Sequence, residues 1–133
     1  MNSPGKILVV EDRPEIRLLV AMAVKPCGHT LIEADSSEPG LAAIRLHRPD
    51  LILLDVMMPG EINGFGICRI VKQDPELRDT PVVMMTALAQ ASDIEEGMAA
   101  GADDYIVKPF SLVALRSIIG RLLGRSGEEV GRP

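Results

Sequence analysis

Leu51-Ile52-Leu53-Leu54-Asp55 is a run of four aliphatic residues that ends on a carboxylate. The same form recurs along the chain. Ile7-Leu8-Val9-Val10 runs into Glu11-Asp12, Val82-Val83-Met84-Met85 into Thr86, and Tyr105-Ile106-Val107 into Lys108. Short continuous apolar runs read as strands buried on both faces, the mark of a parallel sheet covered by helices. In such sheets ligands bind beyond the carboxyl ends of the strands. Three carboxylates, one hydroxyl and one ammonium are therefore expected to converge at one end of one sheet. That set suits a divalent cation together with a phosphoryl group.

Helical signals fill the gaps between these runs. Pro14 suits the first turn of a helix whose apolar face is Ile16, Leu19, Val20, Ala23 and Val24, closed by Cys27-Gly28. A short second strand spans Thr30 to Ala34. Ser36 and Ser37 are N-cap candidates for a helix carrying Leu41, Ala43 and Ile44, which stops before Pro49. Turn formers crowd Met57-Met58-Pro59-Gly60-Glu61-Ile62-Asn63-Gly64. A third helix then carries Phe65, Ile67, Cys68, Ile70 and Val71. A weaker helix around Ser92 to Ala100 contains Gly97, and a last one starts after Pro109 with Ser111 as its cap. The order is β-α repeated five times, an α/β fold with helices on both faces of the sheet.

The length of 133 residues suits one domain with one core. Aromatics make up only 2% and Trp is absent, so the core is expected to be aliphatic with Met as filler. Few aromatics also argue against base-stacking recognition of single strands. The net charge of −5 argues against direct, non-specific nucleic-acid binding. Cys27 and Cys68 lack metal or redox spacing and read as reduced thiols. His29 and His47 read as surface or loop residues. There is no run near 18 apolar residues and no signal region, so a cytoplasmic protein with no membrane partner is expected. Residues 125–133 are rich in Gly and charge, without an apolar pattern. They are expected to be a flexible tail or the start of a linker after a domain over residues 1–124.

The pattern resembles the receiver domain of bacterial two-component response regulators, of the chemotaxis-regulator type, over about residues 5 to 124. The residues that carry the resemblance are Glu11-Asp12, Asp55 with Val56-Met57-Met58-Pro59-Gly60, Thr86-Ala87, Gly101-Ala102-Asp103-Asp104-Tyr105 and Lys108-Pro109-Phe110. It implies a flavodoxin-like, doubly wound (βα)5 sheet with strand order 2-1-3-4-5. It also implies that Asp55 accepts a phosphoryl group from a sensor histidine kinase or phosphotransfer protein, with Mg²⁺ required. The chain is then a phosphorylated switch that assists its own phosphotransfer and dephosphorylation, and not an enzyme with an external substrate. Its helix-four, strand-five, helix-five face signals to an effector domain or protein.

On this resemblance Asp12, Asp55 and the Met57 backbone carbonyl are metal ligands. Glu11, longer than the Asp often found there, acts through water. Mg²⁺ and Lys108 offset the repulsion between the Asp55 carboxylate and an anionic phosphoryl group. Thr86 donates to a phosphoryl oxygen, Tyr105 changes rotamer with it, and Lys108–Pro109 is cis. Met57 and Leu88, two residues past Asp55 and Thr86, are the positions that set the rate of phosphate loss.

Three features depart from the family pattern. Arg13 replaces an acidic or small polar residue, the loop from Pro59 to Gly64 is one residue longer than usual, and Met57 and Leu88 are both apolar. Two other readings compete. A Mg²⁺-dependent phosphohydrolase with an aspartate nucleophile needs a second acid two residues past Asp55, where Met57 stands. A degenerate receiver serving only as an interaction module would have no use for the five polar residues. Opposite charges on Asp93, Glu95 and Glu96 and on Arg116, Arg121 and Arg125 suggest a homodimer.

Overall fold

The computed structural model describes the backbone of residues 5–131 and the side chains of residues 5–123. Five strands, β1 (Lys6–Val10), β2 (Thr30–Ala34), β3 (Leu51–Asp55), β4 (Val82–Thr86) and β5 (Asp104–Val107), form one parallel sheet in the order β2-β1-β3-β4-β5. The connecting helices are α1 (Pro14–Val24), α2 (Ser37–His47), α3 (Gly64–Gln73), α4 (Ala91–Ala99) and α5 (Leu112–Gly131). This is the doubly wound, flavodoxin-like arrangement that the sequence led us to expect.

Alternation along the strands sorts the core into two layers. Leu8, Val10, Ile52, Leu54 and Met84 face Ile44, Phe65, Ile67 and Val71 from α2 and α3. Ile7, Val9, Leu53, Val83 and Met85 face Val20 and Val24 of α1 and Leu115, Ile119 and Leu122 of α5. Every residue of β3 and β4 is buried. Such two-sided burial explains why these strands read as unbroken apolar runs rather than alternating ones.

Several helix ends differ from the sequence reading. The α5 backbone stays helical to Gly131, past the point at residue 124 where a flexible tail was expected. Arg125, Glu128 and Glu129 tolerate helix well, and no proline intervenes before Pro133. Ser36 occupies the N-cap of α2 but makes no capping bond with its side chain. Its hydroxyl instead donates to Asp35. Asn63, which the sequence reading left in a loop, caps α3 by accepting from the Gly66 N–H. Gln90 and Asp93 form a capping box on α4, whereas Ser111 caps α5 as expected, accepting from the Ala114 N–H.

The chain between β3 and α3 doubles back tightly, with the Gly64 N–H donating to the Val56 carbonyl. A Cβ on Gly64 would lie 2.2 Å from the Asp55 carbonyl oxygen and 2.9 Å from the Val56 Cα. Both are backbone atoms and cannot step aside as a side chain would. Gly64→Ala should therefore cost roughly 2–3 kcal/mol of stability in urea unfolding. A loss below about 0.5 kcal/mol, the range of an indifferent surface change, would show that the loop yields freely.

Candidate functional site

The carboxyl ends of β1, β3 and β5 bring Glu11, Asp12, Asp55 and Lys108 together. The carboxylate oxygens of Glu11, Asp12 and Asp55 lie within 4.8 Å of one another. Lys108 Nζ is 2.5 Å from Glu11 Oε1 and 3.4 Å from Asp55 Oδ1. Glu11 is fully buried and Asp55 is 3% exposed, while Asp12 faces solvent. A cleft of about 460 Å³ opens beside them, lined by Asp12, Val56, Met57, Met58, Pro59 and Asn63.

Backbone donors complete the cluster. The Arg13 N–H donates to Glu11 Oε2 at 3.1 Å and the Met57 N–H to Asp55 Oδ1 at 3.4 Å. Arg17 reaches back from α1 to the Glu11 carbonyl at 2.7 Å, a contact with no sequence signature beyond its spacing on the helix. The Arg13 side chain lies in solvent, 3.4 Å from the equally exposed Glu15. Glu11 uses one oxygen for Lys108 and the other for backbone, a pairing that the sequence reading did not contain.

Burial dominates the electrostatics. It pushes the Glu11 carboxyl up to about 7, against the opposing pull of its hydrogen bond to Lys108. It also raises the Asp55 carboxyl, again opposed by Lys108. Three carboxylates thus share one ammonium, and two of them resist ionisation. A hard divalent cation with oxygen ligands is the chemistry that such a donor set lacks, so the residues present fit one.

Thr86 closes β4 at 1% exposure, its hydroxyl accepting the Leu88 N–H at 3.2 Å. The Leu88 carbonyl in turn accepts the Tyr105 hydroxyl at 2.7 Å. Tyr105 packs on α4 where Gly97 leaves room, since a Cβ there would lie 3.1 Å from the ring. A continuous set of contacts therefore runs from Thr86 through Leu88 to Tyr105 and α4. The Met57 side chain is 64% exposed at the cleft and Leu88 is half-buried. Lys108–Pro109 is cis. Both cysteines are free, Cys27 exposed and Cys68 buried.

Charges proposed for a dimer are largely engaged within the chain. Asp93 caps α4, Glu96 faces Arg69, Arg121 pairs with Asp104, and Arg116 donates to the Met22 and Ala23 carbonyls. The Arg125 side chain lies outside the described residues.

Fold and site together define a phospho-receiver class of protein, and comparison with known proteins agrees. Residues 7–120 match the response regulator receiver domain, and the chain belongs to that family. It is 39% identical over 121 residues to the phosphate regulon transcriptional regulatory protein PhoB of Pseudomonas aeruginosa, covering 91% of this chain and 52% of that protein. It is 38% identical over 125 residues to the probable transcriptional regulator ycf27 of Pyropia yezoensis, covering 94% and 50%. The chain thus spans about half the length of these relatives. Among solved structures it resembles the chemotaxis response regulator CheY4 of Vibrio cholerae, with TM-score 0.84 and 30% identity over 91% of this chain and all of that one. A receiver domain of a signal transduction histidine kinase from Syntrophus aciditrophicus matches with TM-score 0.84 and 37% identity, covering 97% and 94%.

Glu11 holds its proton to higher pH in the folded chain than in the unfolded one. Its stabilising contribution is complete below the unfolded value of 4.5 and is lost as pH rises through about 7. Asp55 shifts in the same direction. In chelator, wild type should lose roughly 1–2 kcal/mol more stability than Glu11→Gln between pH 5.5 and 8.5. Equal pH dependence of urea unfolding in the two proteins would contradict this assignment.

Proposed function

We propose that Asp55 is the phosphoacceptor of this receiver domain, the partner being a sensor histidine kinase or phosphotransfer protein. The observation that carries the reading is the approach of one lysine, its side chain only 10% exposed, to Asp55 inside a three-carboxylate cluster. An Asp55 oxygen attacks the phosphorus of a phosphohistidine, a P–O bond forms, and the P–N bond breaks with its electron pair leaving on the donor imidazole. Lys108 stands 3.4 Å from that carboxylate and faces the oxygens that gain charge. Thr86 exchanges its present bond with the Leu88 N–H for donation to a phosphoryl oxygen.

Asp12, Asp55 and the Met57 carbonyl are the proposed ligands of Mg²⁺, with Glu11 acting through water or through Lys108. The bound ion supplies charge neutralisation to the transferring oxygens. Movement of Thr86 shifts Leu88, whose carbonyl holds the Tyr105 hydroxyl, and so alters the face made by α4, β5 and α5. That face signals to an effector domain or protein, and self-association through it is the homodimer reading. The relatives named as transcriptional regulators are about twice as long as this chain. With a net charge of −5, DNA contact falls to a partner region rather than to this domain. We place the functional boundary near residue 124, with residues 125–133 as the start of a linker, and the protein in the cytoplasm. Among the described residues no helix is long and apolar enough to cross a membrane.

No second acid stands near Asp55 in the place that a phosphohydrolase requires; Met57 is there. The domain is accordingly a switch whose only catalysis acts on its own phosphoryl group. Asp55→Asn, nearly isosteric, should abolish Mg²⁺-dependent uptake of phosphoryl from acetyl phosphate while retaining the fold. Uptake at wild-type stoichiometry in that variant would remove Asp55 from the role.

Hydrolysis of the aspartyl phosphate needs a water in line with the P–O bond, and neither Met57 nor Leu88 offers a strong hydrogen-bonding side chain to hold it. A water short of one hydrogen bond loses about 1 kcal/mol, and each 1.4 kcal/mol at the barrier is about tenfold in rate. Slow loss of phosphate is expected, suited to transcriptional or developmental output. Met57→Asn with Leu88→Glu should accelerate it about fivefold. Decay no faster than wild type under saturating Mg²⁺ would contradict the assignment of these positions.

A further inference from the structure

The long loop between β3 and α3 is fastened at both ends. On the α3 side, the Gly64 N–H donates to the Val56 carbonyl at 3.0 Å and Asn63 caps the helix. On the other side, the loop is tied to the first turn of α2. The Ser37 N–H donates to the Pro59 carbonyl at 3.0 Å, and the Glu61 N–H donates to Glu38 Oε2 at 2.9 Å. These two bonds are reciprocal: the helix end gives a donor to the loop, and its first-turn carboxylate takes one back. Ser36 makes no side-chain cap, and the Pro59 carbonyl serves the first orphan N–H of the helix. Gly60 sits at φ +130, and a Cβ there would lie 1.7 Å from Ser37 Oγ. The Glu61 N–H also holds the exposed Glu38 carboxyl below its ordinary range.

Between the two fastenings lie Met57, Met58 and Pro59, which form one wall of the cleft; Asp12 lies on its rim. The width of the cleft depends on where that wall is held. A small cation with strict octahedral demands tolerates little change in width, whereas a larger one with variable coordination tolerates more.

We propose that Glu38, with Gly60 and Ser37, is a positioning element that tunes the cleft for a small divalent cation. None of the three touches the ion; they act through the main chain of the loop. The inference rests on the reading of Asp12, Asp55 and Met57 as the cation site. It predicts that loosening the clamp lowers the preference for Mg²⁺ over Ca²⁺, an effect that mere loss of stability does not produce.

The test is calorimetric titration of the whole chain with Mg²⁺ and separately with Ca²⁺, alongside thermal melts. Glu38→Ala should weaken Mg²⁺ about fivefold, the equivalent of one net hydrogen bond, and Ca²⁺ less than about twofold. Glu38→Gln, whose amide oxygen still accepts from Glu61, should stay within about twofold of wild type for both ions. Gly60→Ala, which breaks the clamp from the loop side, should show the same loss of preference. Unchanged affinities in Glu38→Ala, an equal loss for both ions, or a Glu38→Gln variant as weak as Glu38→Ala would each overturn the inference while leaving the cation site intact. The last result would mark simple charge attraction. Wild type that fails to bind Mg²⁺ saturably would overturn the cation site and the inference with it.

Discussion

Among the described residues Lys108 is the one ammonium beside three clustered carboxylates, and the rest of the site follows from that imbalance. A buried charge is tolerated only when it is paired and hydrogen-bonded. Glu11 meets the requirement by taking Lys108 at 2.5 Å and the Arg13 N–H at 3.1 Å. Asp55 keeps the weaker share, with Lys108 and the Met57 N–H both at 3.4 Å. The nucleophile proposed here is therefore the less satisfied of the two buried carboxylates. It has unused acceptor capacity aimed at the end of the sheet, and a cation or a phosphoryl group completes it.

The sheet makes such an arrangement rigid. β3 and β4 are buried along their whole length, so Asp55 and Thr86 are held by ladders packed on both faces. The loops that follow them are held by fewer, local contacts. One carries Met57 to the cleft, and its conformation is set by Gly64 against the Asp55 backbone and by the α2 N-terminus. The other carries Leu88, which touches Thr86 through its N–H and Tyr105 through its carbonyl. A short peptide segment thus joins the reactive end of the sheet to α4, where Gly97 makes space for the Tyr105 ring. This is a two-ended element of the kind through which a local change in charge reaches a distant surface.

The sheet was legible because each buried strand is a pure apolar run, and a polar residue at its carboxyl end has one place to go. Glu11, Asp12, Asp55, Thr86 and Lys108 could be put at one end of the sheet for that reason. The pairing of Glu11 with Lys108 could not, because the two are 97 residues apart and the choice between Glu11 and Asp55 depends on side-chain length. Asn63 as a cap was obscured by the turn formers around it. Ser36 was overread: the third residue of α2 is Pro39, which has no N–H for a serine cap to take, and the Ser36 hydroxyl donates to Asp35. Residues past Gly124 carry no apolar pattern, and the lack of such a pattern does not by itself end a helix backbone.

The central claim is that charge added at Asp55 is felt at Tyr105. Tyr105 is the only tyrosine and the chain has no Trp, so tyrosine emission reports this one ring. The most direct measurement is that emission during titration with beryllofluoride, a phosphoryl mimic, in the presence of Mg²⁺. A saturable change in wild type that is absent in Asp55→Asn is the result this account predicts. Emission that stays constant in wild type, or changes equally in both proteins, would contradict it.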